Sequence, residues 1–210
     1  MRRTIQTIKN SIQKRLTHVL FNRYLSSLNS EGIAIDCGAN VGNITEILAK
    51  TGVKVYAFEP NPFAYQKLIE KVKSFDRVTC INKGVWDKNT TMKLYPHEMA
   101  EDDEAFWSFG SSIIESKGNV DTSRSVEVEI IDLTEFIEKL GEPIDLLKID
   151  IEGAECELLE RFIAKELYKT VKMTLVETHD SKIPGQKEKT DRVRRLIKEK
   201  SIKNINLNWF

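Results

Sequence analysis

Residues 33–42, IAIDCGANVG, and residues 54–60, KVYAFEP, decide the fold. The first is an apolar run that carries an acid at its end, Asp36, and turns through Gly38 and Gly42, with helical patterning over 41–51 behind it. The second is another apolar run and closes on a second acid, Glu59. A glycine turn at the end of one strand and an acid at the end of the next is how an α/β sheet holds a nucleoside. The glycines let the backbone approach the ligand, and the acid accepts both ribose hydroxyls.

Outward from this pair, strand and helix patterns alternate. Helix 62–73, strand 78–82 and a shorter strand 92–95 come first, then strand 126–131, helix 132–140, strand 144–149 and helix 154–166. Strand 172–178, a charged helix 187–200 and a last strand 202–209 complete the run. This alternation predicts a doubly wound α/β fold, a mainly parallel sheet with helices on both faces. Residues 96–125 are polar and irregular, with the acidic run Glu101–Glu104 followed by Phe106 and Trp107. A stretch that long reads as a functional or mobile loop, and its aromatics suit a sugar face. The organisation expected is an N-terminal basic amphipathic helix region, 1–30, and one domain over 31–210.

Lys plus Arg and Asp plus Glu are equal at 32 each in 210 residues, so net charge offers no argument for nucleic acid. No apolar run approaches a membrane span and the start lacks an uninterrupted signal core, so a cytoplasmic location is expected. Residues 1–28 carry Arg2, Arg3, Lys9, Lys14, Arg15 and Arg23 and no acid. Such a helix can bind an anionic membrane surface; packing on the sheet edge is the favoured reading. Cys37, Cys80 and Cys156 show no paired spacing and read as buried free thiols in a reducing compartment.

The ligand class follows from a departure. A dinucleotide turn reads G-x-G-x-x-G; here Asn40 and Asn43 replace its second and third glycines. Asp36 would oppose a pyrophosphate and suits a ligand with a cationic end. S-adenosylmethionine has an ammonium, a sulfonium and no phosphate, so the turn favours a methyl donor over NAD. Ligands of open α/β sheets bind beyond the carboxyl ends of the strands. The candidates there are Asp36, Glu59, Asn82 to Val85, Asp150 with Glu152, and Glu177 with His179. Lys148, within LLKIDIEGAE (146–155), reads either as a site residue or as a structural ion-pair partner of Glu155 or Glu177.

DCGANVG, AFEPNP, KIDIEGAE and the later VETH occur in order over roughly residues 33–180. This set resembles the FkbM family of S-adenosylmethionine-dependent methyltransferases. The resemblance implies the Rossmann-like class I methyltransferase fold and methylation of hydroxyls on sugars or natural products. It implies that Asp36, Gly38, Asn40 and Gly42 line the methionine end of the donor and that Glu59 holds the ribose. Asn82, Gly84 and Val85 would border the adenine, and Asp150 would face the reacting centre. Ser111 and Ser112 match a serine pair found ahead of the KIDIEGAE segment. Two features depart from the pattern: the stretch 82–87, NKGVWD, brings the bulky Trp86 next to Gly84 and Val85, where small residues are usual, and the usual final antiparallel hairpin is expected to be incomplete.

The expected reaction is O-methylation of a sugar hydroxyl on a glycan or glycosylated product. Asp150 is the favoured base and His179 the second, with Glu152 and Glu177 orienting either one. In a different version Asp150, His179 and Asp180 hold a divalent cation such as magnesium, which acidifies the hydroxyl. A small-molecule or nucleic-acid methyltransferase and a non-catalytic nucleotide-fold module are the rivals. The acidic 96–125 stretch argues against a nucleic-acid partner, and intact Asp36, Gly38 and Glu59 argue against a non-catalytic module.

Overall fold

The computed structural model describes residues 21–96, 111–114, 120–180 and 183–209. In chain order the elements are β1 (Ile33–Cys37), α1 (Asn43–Ala49), β2 (Lys54–Phe58), α2 (Pro62–Val72), β3 (Val78–Ile81), β4 (Gly84–Trp86) and β5 (Thr90–Leu94). They continue with β6 (Val126–Asp132), α3 (Leu133–Leu140), β7 (Ile144–Ile149), α4 (Glu155–Ala164), β8 (Val171–Glu177), α5 (Gln186–Glu199) and β9 (Ile205–Trp209).

Six strands make one sheet in the order β3-β2-β1-β7-β8-β9, every neighbouring pair parallel. β1 and β7 are almost wholly buried, as strands covered on both faces must be, and read as near-continuous apolar runs. Strand order reverses between β1 and β7, where Asp36 lies beside Lys148 in register. Helices α3, α4 and α5 cover one face, with Leu133, Leu158, Phe162 and Val193 packed among Ile35, Leu147 and Val176. The other face is packed by Leu48 of α1 and by Phe21 and Leu28, against Val55, Leu146 and Trp209. Phe21 meets Trp209 edge to face at 4.7 Å. That contact seats the described end of the N-terminal segment on the edge strand β9; residues 1–20 lie outside the described residues, as do Glu101–Glu104, Phe106 and Trp107.

The remaining strands form a second sheet, β4-β6-β5, with β4 parallel and β5 antiparallel to β6. The expectation of one sheet missed it, because a three-residue strand has no periodicity to read. Gly84 belongs there for packing: a Cβ on it would stand 2.4 Å from Ile130 Cδ1. Boundaries also moved. α1 starts only at Asn43, because Asn40 and Gly42 take left-handed backbone (φ 50° and 86°). α4 stops at Ala164, and a left-handed Glu166 leads into a short 3₁₀ turn before β8. α2 starts on Asn61, whose side chain accepts from the Phe63 and Ala64 amides, with Pro62 at its first position. Cys37 and Cys156 are buried free thiols; Cys80 is only half-buried, on the edge strand β3. Among the described residues no helix is long and apolar enough to cross a membrane.

Candidate functional site

The turn after β1 is built from backbone. The Gly38 and Ala39 amides both donate to the Phe58 carbonyl of β2, at 3.0 and 2.9 Å. Gly38 (φ 75°) runs so close to the next strand that a Cβ would lie 1.8 Å from the Asp150 carbonyl oxygen, so only glycine fits. Asn40 follows with φ 50°, a conformation that asparagine tolerates. Its amide donates to Glu59 Oε2 at 2.7 Å, and the Asn61 amide donates to Glu59 Oε1 at 2.8 Å. Glu59 is thereby fixed at the mouth of β2. Burial pushes its pKa up to about 7, against the pull of the Asn61 and Asn40 amides.

Asp36 and Gly42 are placed differently from the expectation that they line the cavity. Asp36 is fully buried beneath the turn. It accepts from the Thr45 hydroxyl at 2.7 Å and pairs with Lys148 Nζ at 3.2 Å. Gly42 backs onto α2, where a Cβ would meet Leu68 at 2.8 Å. Gly38, Asn40, Glu59, Gly84 and Val85 do line a cleft, which Asp150 and Glu152 border from the other side. Asn82 is exposed and stands behind it, donating to the Glu59 and Pro60 carbonyls at 2.8 and 3.2 Å.

Lys148 links the two halves of the cleft. Its ammonium donates to the Gly38 carbonyl at 2.7 Å and pairs with Asp36 and, at 3.6 Å, with Asp150. The register of β1 on β7 brings Asp36 beside it, a partner that neither reading of the sequence offered. Burial opposes its charge, but Asp36 and Asp150 outweigh that and hold its pKa above the usual lysine range.

Beyond Asp150 the chain turns sharply through Glu152 (φ 55°) and Gly153 (φ 121°). The fully buried Glu155 secures that turn, its Oε1 accepting from the amides of Ile151 and Gly153 at 3.2 and 3.0 Å. The same oxygen lies 2.9 Å from His179 Nδ1. His179 Nε2 faces Glu152 at 3.1 Å, Asp150 at 3.8 Å and Glu177 at 3.9 Å. Burial works against a charged His179, yet Glu152 and Glu155 outweigh it and push its pKa up to about 10. That shift favours the imidazolium, the form of the ring that gives a proton and does not take one. Asp150, 27 % exposed in its side chain, has its pKa raised by burial and by Glu152, against the pull of Lys148. Asp180 turns away from this group, toward the Thr190 hydroxyl and Arg194. Asp150, Glu155 and His179 instead offer ligand atoms within 4.8 Å of one another. Asp150 does not cap α4, whose N-cap is Ala154 with no side-chain cap bond.

The outer wall comes from the small sheet and the described residues 111–114. Leu94, Ile113 and Ile130 are its apolar part, Ser111 and Ser112 its polar part. The Ser112 hydroxyl donates to the Glu152 carbonyl at 2.7 Å and accepts from the Ile114 amide at 3.0 Å. Ser111 and Ser112 were singled out by the resemblance; Thr45, the apolar part of this wall and the position of Glu155 beneath the turn were not anticipated. Glu155 left a signal: it is an acid on the stripe formed by Leu158, Leu159 and Phe162, the buried face of α4.

Comparison with known proteins matches residues 36–201 to the family model described as Methyltransferase FkbM domain. The curated relative "2-O-methyltransferase NoeI" of Sinorhizobium fredii (strain NBRC 101917 / NGR234) is 22% identical over 170 residues, 76% of this chain and 70% of that protein. Among solved structures, SMU.1697c, a putative methyltransferase from Streptococcus mutans in complex with SAH, is 18% identical with a TM-score of 0.48. That match covers 86% of this chain and 80% of the other. An rRNA methylase from Streptococcus thermophilus is 27% identical over a shorter match, 32% of this chain and 39% of its own, with a TM-score of 0.30. With the family model spanning the turn after β1, Glu59, the Asp150–Glu155 turn and His179, the chain belongs to the Methyltransferase FkbM domain family.

Proposed function

We propose that this methyltransferase uses S-adenosylmethionine to methylate a sugar hydroxyl of a glycan or glycosylated product. The carrying observation is Glu59, held by the Asn40 and Asn61 amides at the mouth of the cleft that Asp150 borders. A carboxylate fixed by two amides keeps lone pairs for two ribose hydroxyls. Gly84 and Val85 offer an apolar rest for the adenine, and the donor's methionine end runs over Gly38 toward Asp150. The name of the relative NoeI supports oxygen as the acceptor atom.

In the transfer, the acceptor oxygen attacks the methyl carbon in line with the carbon–sulfur bond. The oxygen–carbon bond forms, and the carbon–sulfur pair stays on sulfur, which becomes a neutral thioether. The hydroxyl proton must leave, and Asp150 is the group that acts on it. Positioning contributes ~7–11 kcal/mol in such reactions; Lys148 contributes by tying the turn under the donor to Asp150. Incubation with labelled donor and candidate sugars, read by mass spectrometry, tests the acceptor. Asp150→Asn keeps the shape and removes the charge. It should lower the rate by ~10²–10⁴-fold and leave donor affinity within about threefold. Near-normal turnover with a lowered melting temperature would reassign Asp150 to a structural role.

A further inference from the structure

His179 is 2 % exposed, and its two nitrogens face different neighbours. Nδ1 is engaged by Glu155. Nε2 has no hydrogen-bond partner among the described residues, and neither has Asp150 Oδ1, which it faces at 3.8 Å. Carboxylate oxygens of Glu152 and Glu177 stand around the same nitrogen at 3.1 and 3.9 Å. Ligand atoms ~2.1 Å from one cation lie roughly 3.0–3.4 Å apart in octahedral or tetrahedral geometry. Glu152 is at that spacing, and the other two need shifts of about half an ångström. A metal-ligating histidine commonly gives its other ring N–H to a carboxylate, and Glu155 is so placed.

We infer that the ends of β7 and β8 form a binding site for one divalent first-row transition cation, with His179 Nε2 as its nitrogen ligand and Asp150, Glu152 and Glu177 as its oxygen ligands. An imidazole among the ligands favours Mn²⁺ or Fe²⁺ over magnesium, and Asp180 is not part of the set. Binding competes with protons for the ligand atoms, as at any site of this kind. Such a cation supplies Lewis acidity toward an acceptor oxygen.

The inference concerns the β8 side of the cleft and does not rest on the methyl-donor reading. Metal-stripped protein is titrated with Mn²⁺, followed by loss of the free-ion electron paramagnetic resonance signal and by calorimetry in two buffers of different ionisation enthalpy. One ion per chain should bind, displacing protons from its ligands. His179→Gln should abolish uptake, Glu155→Gln should weaken it by ~10–100-fold, and Asp180→Ala should leave it unchanged. S-adenosylhomocysteine binding is measured on every sample. Its absence from the wild type would count against the donor reading and leave the cation result standing; its retention in His179→Gln shows that this variant is folded. Should His179→Gln not fold, Asp150→Asn, expected to weaken uptake at least tenfold, decides. No saturable uptake, uptake indifferent to these substitutions, or tighter binding of Mg²⁺ than of Mn²⁺ would overturn the inference.

Discussion

Glu59 should make donor binding and folding stability respond to pH in opposite directions. Its folded pKa is raised to about 7 from an ordinary 4.5. A carboxylate that holds ribose hydroxyls must be ionised to accept from both. At pH 8 nearly all of it is ionised and at pH 6 about a tenth, so donor affinity should be about tenfold weaker at pH 6, roughly 1.4 kcal/mol. Stability runs the other way. Between pH 4.5 and 7 the folded state keeps a proton that the unfolded state has lost, so this group makes stability fall as pH rises through that window. The shift corresponds to a loss of roughly 3 kcal/mol by pH 8. Glu59→Gln has neither slope. It should bind the donor more weakly at pH 8 by ~1.5–3 kcal/mol, the contribution of a hydrogen bond to a charged group, and approach the wild type near pH 5.5. Calorimetry with S-adenosylhomocysteine from pH 5.5 to 8.5 measures the first slope. Urea denaturation of both ligand-free proteins at pH 5 and pH 8 measures the second. A flat wild-type affinity between pH 6 and 8, or the same slope in Glu59→Gln, would refute the reasoning.

Lys148→Met leaves the buried Asp36 carboxylate without its cation, and urea denaturation should show a loss of about 3–5 kcal/mol; adding Asp36→Asn should recover much of it. Gly38→Ala forces a Cβ toward the Asp150 carbonyl at a positive φ. Methylation should fall ~10²-fold even where the protein folds, because a misplacement of about 1 Å is enough; an unchanged rate would mean the turn and Asp150 are not mechanically joined. Ser112→Ala removes the partner of the Glu152 carbonyl. It should cost ~1–3 kcal/mol and raise hydrogen exchange at Ile113 and Ile114, and unchanged exchange would count against a clamp at this position.

The central strands were legible because burial on both faces writes them as apolar runs, and the strand-end acids Glu59 and Asp150 announced themselves by closing those runs. Pairings across strands were not legible. Lys148 meets Asp36 through strand register, a relation between distant segments that no local pattern records. Asp180 follows His179 in the chain, yet the two diverge where β8 has ended, and Asp180 meets Thr190 and Arg194 instead. Gly42 looked like a ligand-facing glycine and is instead the point where α1 approaches α2. The β4-β6-β5 sheet escaped because β4 has only three residues and the long irregular stretch separates β5 from β6, although it builds the apolar wall of the cleft.

The Lys148 ammonium has a consequence for anyone redesigning this protein. It is joined at once to the Gly38 carbonyl and to the carboxylates of Asp36 and Asp150, so the turns that follow β1 and β7 behave as one chassis in which no part can be retuned alone. Among the described residues the wall formed by Leu94, Ser111, Ile113 and Ile130 is tied to the turn after β7 by the Ser112 clamp on the Glu152 carbonyl. The unit to exchange between relatives, for a new acceptor, is therefore the segment from Gly84 to Asp132, with Gly38, Lys148 and Asp150 left untouched.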